Sequence, residues 1–331
     1  MSAEDTRIAP GGAVGEAAEE DRPPPTAAPF ELEVSRPFRL DLTAWALRRR
    51  PDNAVDRWDE TGYRRVMTVG GLVREVSVRQ EGPASAGRLS VLLSGRPPAP
   101  ADAAEVRAVL GRLLGFERDL SAFYRFAARD RKLGPLAMGF RGLRPPRFPS
   151  LFECLANAIA CQQVSLQVGI LLLNRLAEAF GPALEVRGSR VHGFPRPETL
   201  AAAEPEEVRG LGFSRQKAAA LVELARAVSA GRVDLDGLEG LSNEDAVRRL
   251  GALRGVGRWS AEYALLRGLG RLEVFPWGDA GARNGLARWL GVEEPLGYDQ
   301  VQSLVTRWRP FGGMIYFHLL LARLSDQGHL A

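Results

Sequence analysis

Two short runs of this 331-residue chain carry residue types whose spacing could do chemistry: Leu253-Arg254-Gly255-Val256-Gly257-Arg258-Trp259-Ser260-Ala261, and further on Phe275-Pro276-Trp277-Gly278-Asp279. In the first, two glycines flank one apolar residue. Helical patterns lie on either side, with Ala246, Val247 and Leu250 before it and Trp259, Ala261 and Leu265 after it. The run therefore reads as two helices joined by a glycine hairpin, because glycine accepts positive φ and lets a ligand approach the backbone closely. The amides of Gly255, Gly257 and Arg258 would then point outward at the N-terminus of the second helix, which makes a phosphate site. In the second run Asp279 precedes a helical stretch, so its carboxylate is either a helix N-cap or a group that acts on a ligand held beside the hairpin.

The elements that must position these runs are helical. From Ser150 onward the pattern is almost wholly helical, with Ser150 and Glu153 spaced as a capping box and Leu151, Phe152, Leu155, Ala158 and Ile159 forming an apolar face. A turn at Gln162-Gln163-Val164 separates this helix from one capped by Ser165. Leu200 to Arg209 and Ser214 to Ala230 continue the series across Gly210-Leu211-Gly212-Phe213. This second Gly-x-Gly reads as a helix connector, with Arg215 and Lys217 available to a partner. Ser242 and Asp245 have the spacing that starts the helix leading into the hairpin, and Ala282 to Leu290, Tyr298 to Trp308 and Gly312 to Ser325 follow Asp279.

The first half of the chain differs. Residues 1 to 29 are rich in Ala, Gly, Pro and Glu and read as a disordered tail. From Phe30 short β-like pieces appear (Phe30 to Val34, Tyr63 to Val69, Leu72 to Arg79, Leu89 to Ser94), with Gly70-Gly71 as a hairpin turn. Helical patterns cover Asp41 to Arg50, Ala101 to Leu114 and Leu120 to Ala128. The expectation is a mixed α/β domain over 30–133, a Pro/Gly-rich connection over 134–149 and a helical core over 150–331: an α+β chain with a small antiparallel-sheet N-terminal domain followed by an all-helical core.

Composition bounds the function. With 45% hydrophobic residues the chain can bury a sizeable core, and no apolar run approaches the length of a membrane span. The N-terminus lacks the basic and apolar regions of a signal peptide, so a cytoplasmic location is expected. Residues 1 to 30 carry six acids against Arg7 and Arg22, so the net charge of +4 understates how basic the rest is. A basic surface suits a polyanion, and is equally the solvated face of an Arg-rich protein. Cys154 and Cys161 read as core residues in a reducing compartment. Together with His192, His318 and His329 they supply neither zinc-site spacing nor the four thiolates of an iron-sulfur cluster.

Hairpin, Gly/Pro-containing loop and aspartate in this order resemble the helix-hairpin-helix DNA glycosylases, and specifically the DNA-3-methyladenine glycosylase II group. The order of N-terminal elements and the turn Ala160-Cys161-Gln162-Gln163-Val164-Ser165 are also similar to that group. The resemblance implies that Asp279 is catalytic, that the hairpin Gly255, Val256, Gly257 and Arg258 binds DNA phosphate, and that Gln163 is the wedge filling the space left by a flipped nucleotide. It also implies that Trp259 and Tyr263 line the base pocket, with Trp277 a further candidate. The alternative for the same residues is that they are core aromatics. The family binds a monovalent cation, Na+ or K+, through hairpin carbonyls, here those of Gly251, Leu253 and Val256. Near the C-terminus Leu320 stands where the group has an aromatic pocket residue.

Family members that also cut the backbone carry a lysine where this chain has Trp259, which cannot form an imine. The expected protein is thus a monofunctional, monomeric glycosylase needing no cofactor. It would excise alkylated purines of the 3-methyladenine and 7-methylguanine type from double-stranded DNA. Other damaged or deaminated bases, or DNA-structure binding without catalysis, are the alternatives.

Overall fold

The computed structural model describes residues 29–292 and 296–330. The tail expected over 1–29 lies, apart from residue 29, outside the described residues. The N-terminal part runs β1 (Phe30–Glu33), α1 (Leu40–Arg48), β2 (Arg57–Asp59), β3 (Gly62–Val69), β4 (Leu72–Glu81), β5 (Arg88–Leu93) and α2 (Pro100–Leu114). Its five strands form one antiparallel sheet in the order β1-β5-β4-β3-β2. Gly70 and Gly71, at φ 55° and 76°, make the two-residue turn that sets Val69 opposite Leu72. Strand β2 has no apolar alternation to announce it, since two of its three residues are charged; it forms by pairing Arg57 with Arg64 and Trp58 with Tyr63.

The helical part continues through α3 (Ser121–Ala127), α4 (Leu133–Gly139), α5 (Leu151–Cys161) and α6 (Leu166–Phe180), then a small hairpin of β6 (Ala183–Val186) and β7 (Ser189–His192). Next come α7 (Pro197–Ala201), α8 (Pro205–Gly210), α9 (Arg215–Ser229), α10 (Asn243–Gly251), α11 (Arg258–Arg267), α12 (Ala280–Leu290), α13 (Tyr298–Thr306) and α14 (Gly312–Asp326). The expected helix Leu200 to Arg209 is two helices. Pro205 cannot donate within a helix interior, and it opens α8 instead. The β6–β7 hairpin interrupts the otherwise helical half where Arg187 and Gly188 both take positive φ. Helix α4 occupies the start of the expected connection, and the apolar side chains from Leu120 to Phe148 pack into the helical core.

Four serines do what their spacing implied. Ser150, Ser165, Ser214 and Ser242 accept from the amides of Glu153, Val168, Lys217 and Asp245 at 3.1, 3.3, 3.3 and 3.1 Å. The Glu153 carboxylate, however, does not close a capping box. It turns to Arg65 of β3 at 2.6 Å, and Arg65 also pairs with Asp56 at 2.7 Å, all three buried. A polar link thus ties the sheet to the first core helix.

Helix α1 sits between two apolar clusters. Leu40, Ala44 and Leu47 pack with the sheet and α2, while Leu42, Trp45 and Ala46 on the other side join the large helical cluster. The N-terminal sheet is therefore anchored to the core through a helix buried on both faces. Among the described residues no helix is long and apolar enough to cross a membrane.

The core holds one titratable group at a cost. His318 on α14 is fully buried beside Phe123 and Phe140; Nδ1 lies 2.7 Å from the Met314 carbonyl and Nε2 has no partner. Burial pushes its pKa down from 6.5 to about 4. Between those values the unfolded chain takes up a proton that the native protein refuses, so stability falls as pH is lowered through that window. The full loss below it is about 3 kcal/mol. His318→Phe should therefore lose stability less steeply than wild type between pH 7 and 4.5 in urea denaturation, by about 2 kcal/mol. Equal pH slopes would show that His318 is not the group that titrates.

Candidate active site

The hairpin between α10 and α11 forms as its glycines require, but the two glycines serve different purposes. Gly255 has φ 78°, and a Cβ there would meet the Ala220 Cβ at 2.6 Å, so both conformation and space demand glycine. Gly257 is the N-cap of α11 with φ −87°, and a Cβ there would meet nothing within 4 Å. What a side chain at 257 would obstruct is the solvent side, where a ligand would approach. Val256 is buried and spends its amide on the Leu253 carbonyl at 3.1 Å, while the amides of Gly255, Gly257 and Arg258 take no acceptor within the loop. They form the positive end of α11, as an anion site needs.

Opposite the hairpin is the turn between α5 and α6. Gln163 stands exposed at φ 52°, an unusual conformation for a residue with a Cβ. Gln162 points the other way, and its Nε2 donates to the Gly255 carbonyl and to Ser260 Oγ, both at 2.7 Å. Lys217, which the sequence left open to a partner, instead donates to the carbonyls of Ala160 and Gln162 at 3.0 and 2.6 Å. It thereby satisfies carbonyls left open at the C-terminus of α5. Turn and hairpin are thus joined into one edge.

Between this edge and α12 and α14 lies a cleft of about 1470 Å³. Asp279 lies in it, half-buried, as the N-cap of α12: Oδ1 accepts from the Ala282 amide at 2.8 Å and Oδ2 from Trp259 Nε1 at 3.3 Å. The N-cap alternative and the chemical one are therefore compatible, since the same bonds that begin the helix aim the carboxylate into the cleft. Gly278 allows this approach, for a Cβ there would lie 3.0 Å from that of Trp259. Trp259 and Tyr263, their ring centres 5.6 Å apart, both line the cleft, Tyr263 almost fully buried. Gln163 and the hairpin residues Gly251, Leu253, Gly255, Val256, Gly257 and Arg258 also line it. Trp277 does not; its ring packs on Phe275 at 5.6 Å, and its backbone is held by Glu262.

Four residues that matter here were assigned no role from the sequence. Glu262, one helical turn after Arg258, accepts from Arg258 Nε at 3.0 Å, from the Tyr298 hydroxyl at 3.0 Å and from the Trp277 amide at 3.2 Å. It joins hairpin, Asp279 loop and α13. Burial pushes its carboxyl above the usual range, against the pull of Arg258 and Tyr298. Tyr316 lines the cleft one turn before Leu320, supplying an aromatic ring that the Leu320 position lacks; burial, then the Asp279 charge, raises its hydroxyl pKa. Gln162 is the third. The fourth, Arg49, comes from the N-terminal part as the left-handed C-cap of α1. Only a spacing rule linking α1 to a cleft residue more than two hundred positions away could have found it.

The two hairpin glycines can be separated by substitution. Gly255→Ala should destabilise the protein by about 1–3 kcal/mol through strain and contact with Ala220. Gly257→Ala should leave the melting temperature nearly unchanged and still weaken binding to DNA. Equal stability losses in a denaturation experiment would contradict the assigned geometry.

Comparison with known proteins agrees with this arrangement. The family described as HhH-GPD superfamily base excision DNA repair protein matches residues 156–310, spanning the Gln162-Gln163 turn, the hairpin and Asp279. A putative DNA-3-methyladenine glycosylase of Bacillus subtilis is 27% identical over 281 residues, covering 85% of this chain and 94% of the relative. DNA-3-methyladenine glycosylase 2 of Escherichia coli is 32% identical over 187 residues, covering 56% of this chain and 63% of its own length. The solved 3-methyladenine DNA-glycosylase from Archaeoglobus fulgidus superposes with a TM-score of 0.77 at 29% identity, over 88% of this chain and 97% of that one. Hairpin, capped aspartate and matching fold together place residues 156–310 in the HhH-GPD superfamily of base excision DNA repair proteins, and the chain around them is similar to DNA-3-methyladenine glycosylases.

Proposed function

We propose that this protein is a monofunctional alkylbase DNA glycosylase that hydrolyses the N-glycosidic bond of a damaged base flipped out of duplex DNA. The observation that carries this reading is the Asp279 carboxylate, held by two N–H donors in a cleft that also contains the hairpin and the Trp259 and Tyr263 rings. The named similarity to 3-methyladenine glycosylases supports alkylated purines as substrates.

A base within the stack is out of reach of a side chain, so the nucleotide must be extruded. The free amides of Gly255, Gly257 and Arg258 hold phosphate near the lesion, which positions the duplex without reading its sequence. Gln163, exposed and held outward by the Gln162 anchor, enters the duplex in place of the lost nucleotide. As the bond from C1′ to the base nitrogen breaks, positive charge grows on the sugar. The Asp279 carboxylate stabilises that charge and orients or deprotonates the water that adds to C1′. An N-alkylated purine leaves neutral, taking the bonding pair, so it needs little further acid assistance.

Cleavage of the DNA backbone through an imine needs an amine in the cleft. No lysine is among the described residues that line it, and Lys217 is committed to the carbonyls of α5 and its turn. This favours hydrolysis alone. The neutral carbonyls of Gly251, Leu253 and Val256 suit a monovalent cation, of which that of Leu253 is shared with the Val256 amide. Sodium or potassium held there would add positive charge beside the phosphate.

Methylated duplex DNA incubated with wild type should release free 3-methyladenine and 7-methylguanine, with strand breaks appearing only after alkali. Asp279→Asn should lower release by about 100-fold or more while keeping DNA affinity. Release by both proteins alike would remove Asp279 from the chemistry. Borohydride should trap no covalent adduct with wild type, and a trapped adduct would refute the monofunctional reading.

A further inference from the structure

Arg258 opens α11 beside the hairpin with its side chain 66% exposed, where an arginine would ordinarily sample many rotamers. Here it is held on two sides. Nε donates to Glu262 Oε1 at 3.0 Å, and the guanidinium carbon lies 4.8 Å from the centre of the Tyr298 ring. The Tyr298 hydroxyl donates to the same Oε1 at 3.0 Å, while Glu262 Oε2 accepts from the Trp277 amide at 3.2 Å. Burial and then the Glu262 charge push the Tyr298 hydroxyl pKa up to about 12, so it stays a donor to that carboxylate. Asp299 adds a weaker attraction for Arg258 with no hydrogen bond. Neither Nη1 nor Nη2 has an acceptor among the described residues, and Arg258 lines the cleft next to Gly255 and Gly257. The guanidinium edge left open is the one with two parallel N–H bonds, which matches two oxygens of a phosphodiester.

The geometry points to Tyr298 and Glu262 as positioning residues that hold the Arg258 guanidinium as a preset fork for a phosphodiester of the DNA backbone at the hairpin. This rests on the glycosylase reading above and deepens its account of DNA binding, adding a side-chain contact to the backbone amides. A flexible arginine loses rotamer freedom when it clasps a phosphate, whereas one already held loses little. The two supports also leave the right donors free. A ring face attracts the cation without taking an N–H group, and the Glu262 carboxylate takes only Nε. Because Glu262 is buried, the fork is referred to the folded core and not to solvent. The second oxygen of the same carboxylate holds the amide of Trp277, two residues before Asp279, so the fork and the reacting carboxylate share one reference point. The charge of Arg258 is met by phosphate and not by the base, so it grips the duplex without opposing a cationic alkylpurine.

The test measures affinity for a duplex carrying a tetrahydrofuran abasic-site analogue across a salt series, with melting temperatures alongside. Wild type, Arg258→Gln, Tyr298→Leu, Tyr298→Phe and the double variant Arg258→Gln/Tyr298→Leu are compared. Arg258→Gln should weaken binding by about tenfold and lower the slope of log Kd against log salt by about one. Tyr298→Leu should raise the protein concentration giving half-maximal 3-methyladenine release by about fivefold, and Tyr298→Phe, which keeps the ring under the guanidinium, should recover most of that loss. In the Arg258→Gln background, Tyr298→Leu should cost no further affinity. Glu262→Gln, which keeps an acceptor oxygen and drops the charge, should show the same dependence on Arg258; it carries the cycle if the leucine variant does not fold. Additive losses would show that Tyr298 and Glu262 act apart from Arg258, and an unaltered salt slope in Arg258→Gln would show that the fork meets no phosphate; either result overturns the inference. Wild type that binds the analogue duplex with the expected slopes and releases no base would sink the glycosylase reading instead, whereas base release with additive losses would sink this inference alone.

Discussion

The Arg267 guanidinium at the C-terminal end of α11 is fully buried and donates to the carbonyls of Ala46 and Leu47 at 2.9 and 3.2 Å. These are among the last carbonyls of α1, which have no partner within their own helix and carry the negative end of its dipole. The rings of Phe148, Tyr263 and Phe317 surround the cation at 5.4, 5.9 and 5.2 Å, so the charge is kept where water cannot replace it. Much of the site depends on this contact. The first residue of α11 belongs to the glycine hairpin and the last grips α1, so the same ten-residue helix sets the distance between hairpin and N-terminal part.

Two consequences follow from the rigidity of α11. With α1 clamped at its end, the left-handed C-cap at Arg49 is carried to the cleft, and a residue from the sheet-bearing part becomes part of the pocket. In the middle of α11, Glu262 collects Arg258, Tyr298 and the Trp277 amide, so the loop that ends in Asp279 is positioned from the same helix as the hairpin. Hairpin, Asp279 loop and the Arg49 side of the cleft are thus all positioned from one helix.

Charge in the cleft is arranged rather than neutralised. Asp279 takes its hydrogen bonds from an amide and an indole, not from a cation, and Arg49 gives its own to a hydroxyl and an amide oxygen. Both side chains are thus fixed by neutral partners within one cleft.

By itself the sequence determined everything whose cause is local. Glycine at 255 follows from a positive φ, the serine caps from hydroxyls three residues before free amides, the Gly70-Gly71 turn from its conformation, and the aspartate after Gly278 from the start of α12. The hairpin and Asp279 were legible because their order along the chain is also their order in the site. The three residues of β2 and the β6–β7 hairpin were not, since both exist through pairing that apolar pattern does not announce. Helix α11 shows no amphipathic stripe because it is buried from Ser260 to Arg267, on every side. Between adjacent glutamines nothing local says which turns inward; the tertiary structure sends Gln162 to the hairpin and Gln163 to solvent. Only the fold decided that Arg49 and Tyr316 line one cleft and that Glu262 joins Arg258 to the loop before Asp279, because these contacts come from long-range packing of α1, α14 and that loop around α11, and such packing leaves no period or spacing in the chain.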